Sequence, residues 1–401
     1  MKYKMMKRIN LIAGLLFLTG TTSFAQQATQ PMSQLIDDQF NFAAEQYKVL
    51  DQQIPAGLTP QSYDAKKNKL IAYDIKWWCS GFYSGSLWYI YEQTKNKEIR
   101  KTAEKALKVI EPNKTFTGNH DLGFMMFCSF GNAYRLTGDP AYKEVINASA
   151  ASLSTRYRPE IESIQSWDKS KYWKCPVIID NMMNLEMLGW VSDHGGDARF
   201  KEIAVKHANT TLKNHFRPDF SSYHVVDYDL TTGKVYRKAT WQGAANCSAW
   251  SRGQAWALYG FTAMYRSTKD QKYLDQARGI AHFILNHPNL PADKIPYWDF
   301  DAPKIPYAKR DASAGAITAS ALLELAQYSN GKEKAEFVSS AETMLRSLAT
   351  PAYRARLGEN GGFLLLHSTG AFPLDSEIDV PLIYADYYFL EALGRYKKWY
   401  L

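Results

Sequence analysis

Thr94-Lys95-Asn96-Lys97-Glu98-Ile99 decides the fold, because its design returns as Thr137-Gly138-Asp139-Pro140-Ala141-Tyr142 and as Thr268-Lys269-Asp270-Gln271-Lys272-Tyr273. His194-Gly195-Gly196-Asp197-Ala198-Arg199-Phe200 is a looser copy. Each is a short polar turn that ends one helix, followed by a charged start and an aromatic or Ile anchor. Outward from these joints the apolar residues keep helical spacing. Ile36, Phe40, Ala43, Tyr47 and Leu50, for example, share one stripe. The pattern predicts helices over 34–52, 82–95, 98–110, 121–137, 141–157, 179–193, 198–215, 250–267, 271–287, 313–329, 333–348 and 381–397, twelve helices in six pairs. A helical hairpin with one apolar face buries it only against its neighbours, so the pairs must stack. Successive anchors Ile99, Tyr142, Phe200 and Tyr273 are 43, 58 and 73 residues apart, so insertions carry the variation.

Six such pairs closed into a ring make an all-α (α/α)6 barrel. An open α-solenoid is the alternative, which periodicity does not separate. The largest insertion, 216–249, reads as a small β-hairpin at one mouth of the array. Tyr223-His224-Val225-Val226-Asp227-Tyr228 alternates, Thr231-Thr232-Gly233 turns, and Lys234-Val235-Tyr236 returns. No Pro/Ser-rich linker divides 26–401, which is expected to be one domain.

The 401 residues are 46% apolar and 22% charged, which suits a large buried core and excludes disordered and fibrous classes. Lys2, Lys4, Lys7 and Arg8 precede the apolar run Ile9–Leu18, and Thr21-Thr22-Ser23-Phe24-Ala25 offers small residues before a cut. That anatomy predicts a signal peptide over 1–25 and export to the periplasm; the run is too short to span a bilayer. Its removal takes four cations and no acids, lowering the formal charge from +8 to +4. No Lys/Arg run points to nucleic acid. A mild positive excess fits an anionic small substrate. Cys79, Cys128, Cys175 and Cys247 form no C-x-x-C pair and are expected as buried small apolar side chains, with no metal site and no cofactor implied.

Acids inside apolar helices are costly unless paired, protonated or used. Asp121, in Gly118-Asn119-His120-Asp121-Leu122-Gly123-Phe124, and Asp180, in Ile178-Ile179-Asp180-Asn181-Met182-Met183-Asn184, both stand near helix starts. Each reads either as a capping carboxylate or as a functional acid. Their polar neighbours His120 and Asn181 keep the second reading open. Trp241-Gln242-Gly243 and Trp250-Ser251-Arg252-Gly253-Gln254-Ala255-Trp256 form a third cluster. Arg252 and Trp256 lie one turn apart on a helix face. Arg can clamp a carboxylate, and Trp can stack on a sugar; alternatively an Arg–Trp pair only holds two helices together. His224 on the hairpin, Trp78 and Trp167 are further candidates for the mouth, against structural roles for each.

Together these motifs resemble glycoside hydrolase family 88, the unsaturated glucuronyl hydrolases, over essentially the whole chain after the leader. The resemblance rests on Trp78-Cys79-Ser80-Gly81-Phe82-Tyr83-Ser84-Gly85-Ser86-Leu87-Trp88, His120-Asp121-Leu122-Gly123-Phe124, Ile179-Asp180-Asn181-Met182-Met183-Asn184, Trp250-Ser251-Arg252-Gly253-Gln254-Ala255-Trp256 and Asp379-Val380-Pro381-Leu382-Ile383-Tyr384-Ala385-Asp386. It implies an (α/α)6 barrel that removes the terminal 4,5-unsaturated uronic acid from oligosaccharides left by polysaccharide lyases. It implies Asp180 as general acid/base and Asp121 as its acidic companion. His120, His224, Gln242, Trp250, Arg252, Trp256, Trp78 and Trp167 would line the sugar site. Some members place Ser and Lys near Ser368-Thr369-Gly370-Ala371-Phe372-Pro373 to hold a sulfate; this stretch has no Lys. A monomer or homodimer without a membrane anchor is expected. The alternatives are the sibling activity on unsaturated galacturonyl-rhamnose from pectin and a non-catalytic periplasmic glycan binder.

Overall fold

The computed structural model describes residues 30–401, so the expected leader over 1–25 lies outside the described residues. Three of the joints share one hydrogen-bonded design. Thr94, Thr137 and Thr268 each donate to the carbonyl four residues back, at 2.8, 2.8 and 2.7 Å. The next residue, Lys95, Gly138 or Lys269, turns left-handed at φ 55°, 69° or 58°. The third, Asn96, Asp139 or Asp270, then accepts from the first backbone N–H groups of the following helix. Helix stop and helix start are thus fused into three residues. The looser copy uses Gly195 in the left-handed region and Asp197 as acceptor for the Arg199 N–H.

All twelve expected helices form: α1 (Met32–Asp51), α2 (Phe82–Thr94), α3 (Lys97–Ile110), α4 (a π-helical Gly123–Gly131 continued by Asn132–Thr137), α5 (Pro140–Ser154), α6 (Leu185–Asp193), α7 (Arg199–Asn214), α8 (Ser251–Thr268), α9 (Gln271–Asn286), α10 (Ala312–Leu325), α11 (Gly331–Leu348) and α12 (Ile383–Tyr400). The even-numbered helices pack in sequence, and α12 packs back on α2, so the ring closes. Each odd-numbered helix from α3 onward lies outside its predecessor, while α1 covers α2 and α12. This is the (α/α)6 barrel and not the open solenoid. The last pair unites the two ends of the described chain.

The inner ring is close-packed. A Cβ on Gly123 of α4 would stand 2.5 Å from the Asn184 Cα, and one on Gly81 would stand 2.1 Å from the Met125 carbonyl oxygen. Glycine at these points lets backbone approach backbone where the inner helices begin.

The expected hairpin is present as β6 (Val225–Asp229) and β7 (Lys234–Ala239), with Gly233 left-handed in the turn. It does not project alone. A strand at Pro176–Ile178, β5 in chain order, pairs with β6, and the Ile179 N–H bonds the His224 carbonyl at 3.0 Å. This three-stranded sheet therefore carries the chain directly into Asp180. The remaining pairs are β1 (Leu58–Asp64) with β2 (Lys69–Asp74), β3 (Tyr157–Arg158) with β4 (Ser163–Ile164), and β8 (Ser368–Ala371) with β9 (Ser376–Val380). The sequence reading did not anticipate them.

The four cysteines are free thiols. Cys79 and Cys175 are buried and Cys128 is half-buried. Cys247 corrects the expectation that all four are buried: it is exposed, in the turn-rich stretch before α8. No helix among the described residues is long and apolar enough to cross a membrane.

Candidate active site

The inner helices run parallel, so their N-termini gather at one mouth. Trp78 precedes α2, Asp121 precedes α4, Asp180 precedes α6, Trp250 caps α8, Asp311 caps α10, and Tyr384 opens α12. Trp78 meets Phe124 at 5.5 Å and Tyr384 at 4.9 Å between ring centroids, which ties three of these starts together. Helix N-termini carry partial positive charge, so the mouth favours an anion.

Neither Asp121 nor Asp180 caps a helix through its side chain. That removes the structural reading of both. Their side chains keep only 13% of their surface each. Burial pushes Asp180 up to about 7, aided by the nearby Asp121 charge and opposed by Arg252. Burial also pushes Asp121 up to about 7, against a hydrogen bond from Asn184 and the charge of Arg156. The two carboxyls interact, so they titrate as a pair.

His224 is 3% exposed, and its Nδ1 accepts backbone N–H groups of Trp241 at 3.1 Å and Gln242 at 3.2 Å. Burial pushes its pKa down to about 3, with Arg252 and then His215 adding to the effect. It is therefore neutral at pH 7 with its proton on Nε2, which faces Asp180 Oδ2 at 3.7 Å. His120 is likewise neutral, pushed down to about 3 by burial, and sits 3.4 Å from Asp121 Oδ2.

Buried polar atoms normally find partners. Here Asp180 Oδ2, His224 Nε2, His120 Nδ1, Trp256 Nε1 and Tyr384 OH have none within the protein. Unmet donors and acceptors collected where the inner helices begin, with Trp167 and Trp250 against His224 and Trp78 against Tyr384, suit a polar ligand.

Arg252 plays a different part from the expected clamp. Its Nη1 donates to Asp311 at 3.1 Å and to the Thr369 carbonyl at 2.6 Å, and its Nη2 to the Gly370 carbonyl at 2.5 Å. It stacks over Trp250 at 4.5 Å and not over Trp256, since Trp256 packs on Phe124 and Tyr388 with no exposed surface. Arg252 thus pins β8 to α8 and supplies positive charge beside Asp180. The Gln242 side chain joins the same anchor, donating to the Gly370 carbonyl at 3.3 Å. Trp167 stands edge-on to His224 at 5.9 Å.

Several members of the site were missed in sequence. Asn184 receives the Phe124 N–H at 3.2 Å, donates to Asn181 and thereby couples α4 to the Asp180 turn. Its place in the Asp180 motif was the available signal. Tyr384 stands in the C-terminal stretch that carries the family resemblance, whereas Arg156 and Asp311 come from distant segments and left no local signal.

A closed helical ring with two buried, interacting carboxyls beside aromatic side chains at its anion-favouring mouth defines a sugar-cleaving hydrolase of the α/α-barrel class. The model of Glycosyl Hydrolase Family 88 matches residues 53–388. An unsaturated glucuronyl hydrolase of Formosa agariphila is 43% identical over 388 residues, covering 96% of each chain. A crystal structure of an unsaturated glucuronyl hydrolase specific for heparin is 44% identical with a TM-score of 0.88, over 91% of this chain and 97% of that one. The unsaturated glucuronyl hydrolase of Bacillus sp. GL1, responsible for glycosaminoglycan degradation, is 30% identical with a TM-score of 0.84, over 92% and 97%. The chain belongs to glycosyl hydrolase family 88.

Proposed function

We propose that this enzyme removes a terminal 4,5-unsaturated uronic acid from lyase-generated, glycosaminoglycan-derived oligosaccharides by hydrating the C4=C5 double bond. The observation that carries this reading is the buried Asp180 Oδ2, unpartnered and held protonated near neutral pH. The substrate is a vinyl ether, with C4=C5 joined to the ring oxygen. Its π pair takes the Asp180 proton at C4, leaving positive charge shared by C5 and that oxygen. The Asp180 carboxylate then accepts a proton from water as the water oxygen bonds C5. The resulting hemiketal opens: the C5 hydroxyl becomes a ketone, the bond from C5 to the ring oxygen breaks, and the hydroxyl proton passes to that oxygen. The hemiacetal so exposed at C1 collapses to an aldehyde, its hydroxyl proton going to the oxygen of the neighbouring sugar, which leaves as an alcohol.

Asp121 keeps the proton on Asp180 until the alkene arrives. His224 offers Nε2–H, and with the Tyr384 hydroxyl and the helix N-termini it forms a donor set for the substrate carboxylate. Trp78, Trp167 and Trp250 supply ring faces. The expected leader would deliver the enzyme to the periplasm, which cell fractionation checks.

The test is a panel of unsaturated disaccharides from hyaluronan, chondroitin, heparin, alginate and pectin, followed by loss of the conjugated-alkene absorbance. Turnover of glycosaminoglycan products supports the reading. Turnover of the pectin product alone moves the assignment to the sibling activity, and sugar binding without any turnover makes the protein a glycan binder.

A further inference from the structure

The hydrating pair sits in a cup, so the sugars beyond the cleaved linkage must extend toward solvent. An aromatic track leads outward from the acid. Asp180 faces His224, and His224 meets Trp167 edge-on at 5.9 Å. Trp167 contacts Trp173 at 5.8 Å, Trp173 contacts Trp241 at 5.8 Å, and Trp241 contacts Tyr172 at 5.4 Å. His224 and Trp173 are buried, at 3% and 7% exposed, Trp167 and Trp241 are half-buried, and Tyr172 at the outer end is 51% exposed. At the outer end Lys171 Nζ lies 4.9 Å from the Tyr172 ring centroid.

The outer end is anchored. Arg237 donates to the Tyr172 carbonyl. Ser170 Oγ accepts the N–H groups of Tyr172 and Trp173 at 3.2 and 3.3 Å. Buried Arg156 grips the neighbouring Asp168 at 2.9 Å. Lys174 is tied to Asp229 at 2.9 Å, but exposed Lys169 and Lys171 have no carboxylate partner among the described residues. The opposite rim differs. Its exposed pair, Tyr73 and Trp77 at 4.8 Å, stands beside Asp74, and Glu377 lies close enough to Tyr73 to act on it electrostatically. Lys169 and Lys171 offer an anionic chain leaving the cup two cations without a carboxylate partner, whereas the second rim sets exposed Lys76 against Asp74 and Glu377.

We propose that the platform of Tyr172, Trp241, Lys169 and Lys171 is an outer subsite that binds the second repeat of an anionic oligosaccharide, so that the enzyme prefers chains longer than a disaccharide. This rests on the hydrolase reading above. One stacked ring and two cations support about a tenfold preference.

The experiment compares kcat/KM for an unsaturated disaccharide and the unsaturated tetrasaccharide of the same glycosaminoglycan. It uses the wild-type enzyme, Tyr172→Ala and the double variant Lys169→Ala/Lys171→Ala. The wild type is expected to favour the tetrasaccharide about tenfold, with the preference shrinking as salt rises. Each variant is expected to bring the ratio near one while disaccharide turnover stays within about twofold of wild type, which also reports that it has folded. A wild-type ratio near one, a ratio unchanged in both variants, or equal losses on both substrates overturns the outer subsite and leaves the hydrolase reading standing. Absence of turnover on every disaccharide overturns that reading, and the subsite with it.

Discussion

The two ends of the barrel treat buried polarity in opposite ways. At the mouth, buried polar atoms of Asp180, His224, His120, Trp256 and Tyr384 go unanswered. At the far end a cavity of about 740 Å³ is lined by Trp190, Glu186, Arg266, Glu391, Arg395 and Trp399. There Glu391 accepts hydroxyl donors from Ser320 at 2.6 Å, Tyr89 at 2.9 Å and Tyr259 at 3.1 Å, with Arg395 at 3.6 Å. Arg266 pairs with Glu186 at 2.6 Å and Glu324 at 3.2 Å, and Arg395 also pairs with Glu324 at 3.2 Å. None of these side chains has a buried orphan atom. Buried charge alone therefore does not mark a site; a buried acid with an unpartnered oxygen, set beside donors that are also unmet, is the better sign.

That contrast breaks most sharply at Asp180. Asp180→Asn removes the proton donor, and kcat is expected to fall about 10⁴-fold while the barrel and sugar binding persist. Activity within tenfold of wild type in the alkene-absorbance assay refutes the role given to Asp180. The far end should answer in stability instead. Glu391→Ala leaves three hydroxyls without their acceptor and Arg395 with Glu324 as its one carboxylate, and a loss of about 3 kcal/mol in denaturant unfolding is expected with KM little changed. A large KM change with intact stability would make the far end a working site.

Asp121→Asn tests the pairing at the mouth. About a 10²-fold loss in kcat/KM is expected. Because the Asp121 charge raises the Asp180 pKa, the alkaline limb of the pH profile, near 7 in the wild type, should move to lower pH. An unmoved limb separates the two carboxyls. The smallest effect is on the fold itself. A carboxyl raised from 3.8 to about 7 in the native state binds more protons there than in the unfolded chain. Native stability then falls as pH rises through that window. Asp180→Asn should flatten this fall and raise Tm at pH 8 by roughly 2–6 °C; an equal slope in both proteins argues against the raised pKa.

The helices were legible because 3.6-residue periodicity and the Thr-x-Asn/Asp joints are local signals. Closure was not, since the packing of α12 on α1 and α2 joins segments hundreds of residues apart in sequence. The β1–β2 pair was hidden by Pro60, which lies where the strand register shifts. The β8–β9 pair begins in small residues with no alternation, Ser368-Thr369-Gly370-Ala371. Asp121 and Asp180 announced themselves by their apolar neighbours. Arg252 was recognisable as part of the site, but its task was not, because its partners Asp311, Thr369 and Gly370 lie 59 to 118 positions away.

The pairing of α1 with α12 has a consequence for how the molecule is made. The wall facing Trp78 is Tyr384, which follows every other inner helix in sequence, so the catalytic cup exists only once α12 has been made and has docked on α2. Before that, the apolar faces of α2 and α10 lack the helix they pack against. A chain cut before residue 383 is expected to be a target for chaperones and proteases and not a slower enzyme, and a peptide spanning 383–400 supplied separately is the natural reagent for restoring it.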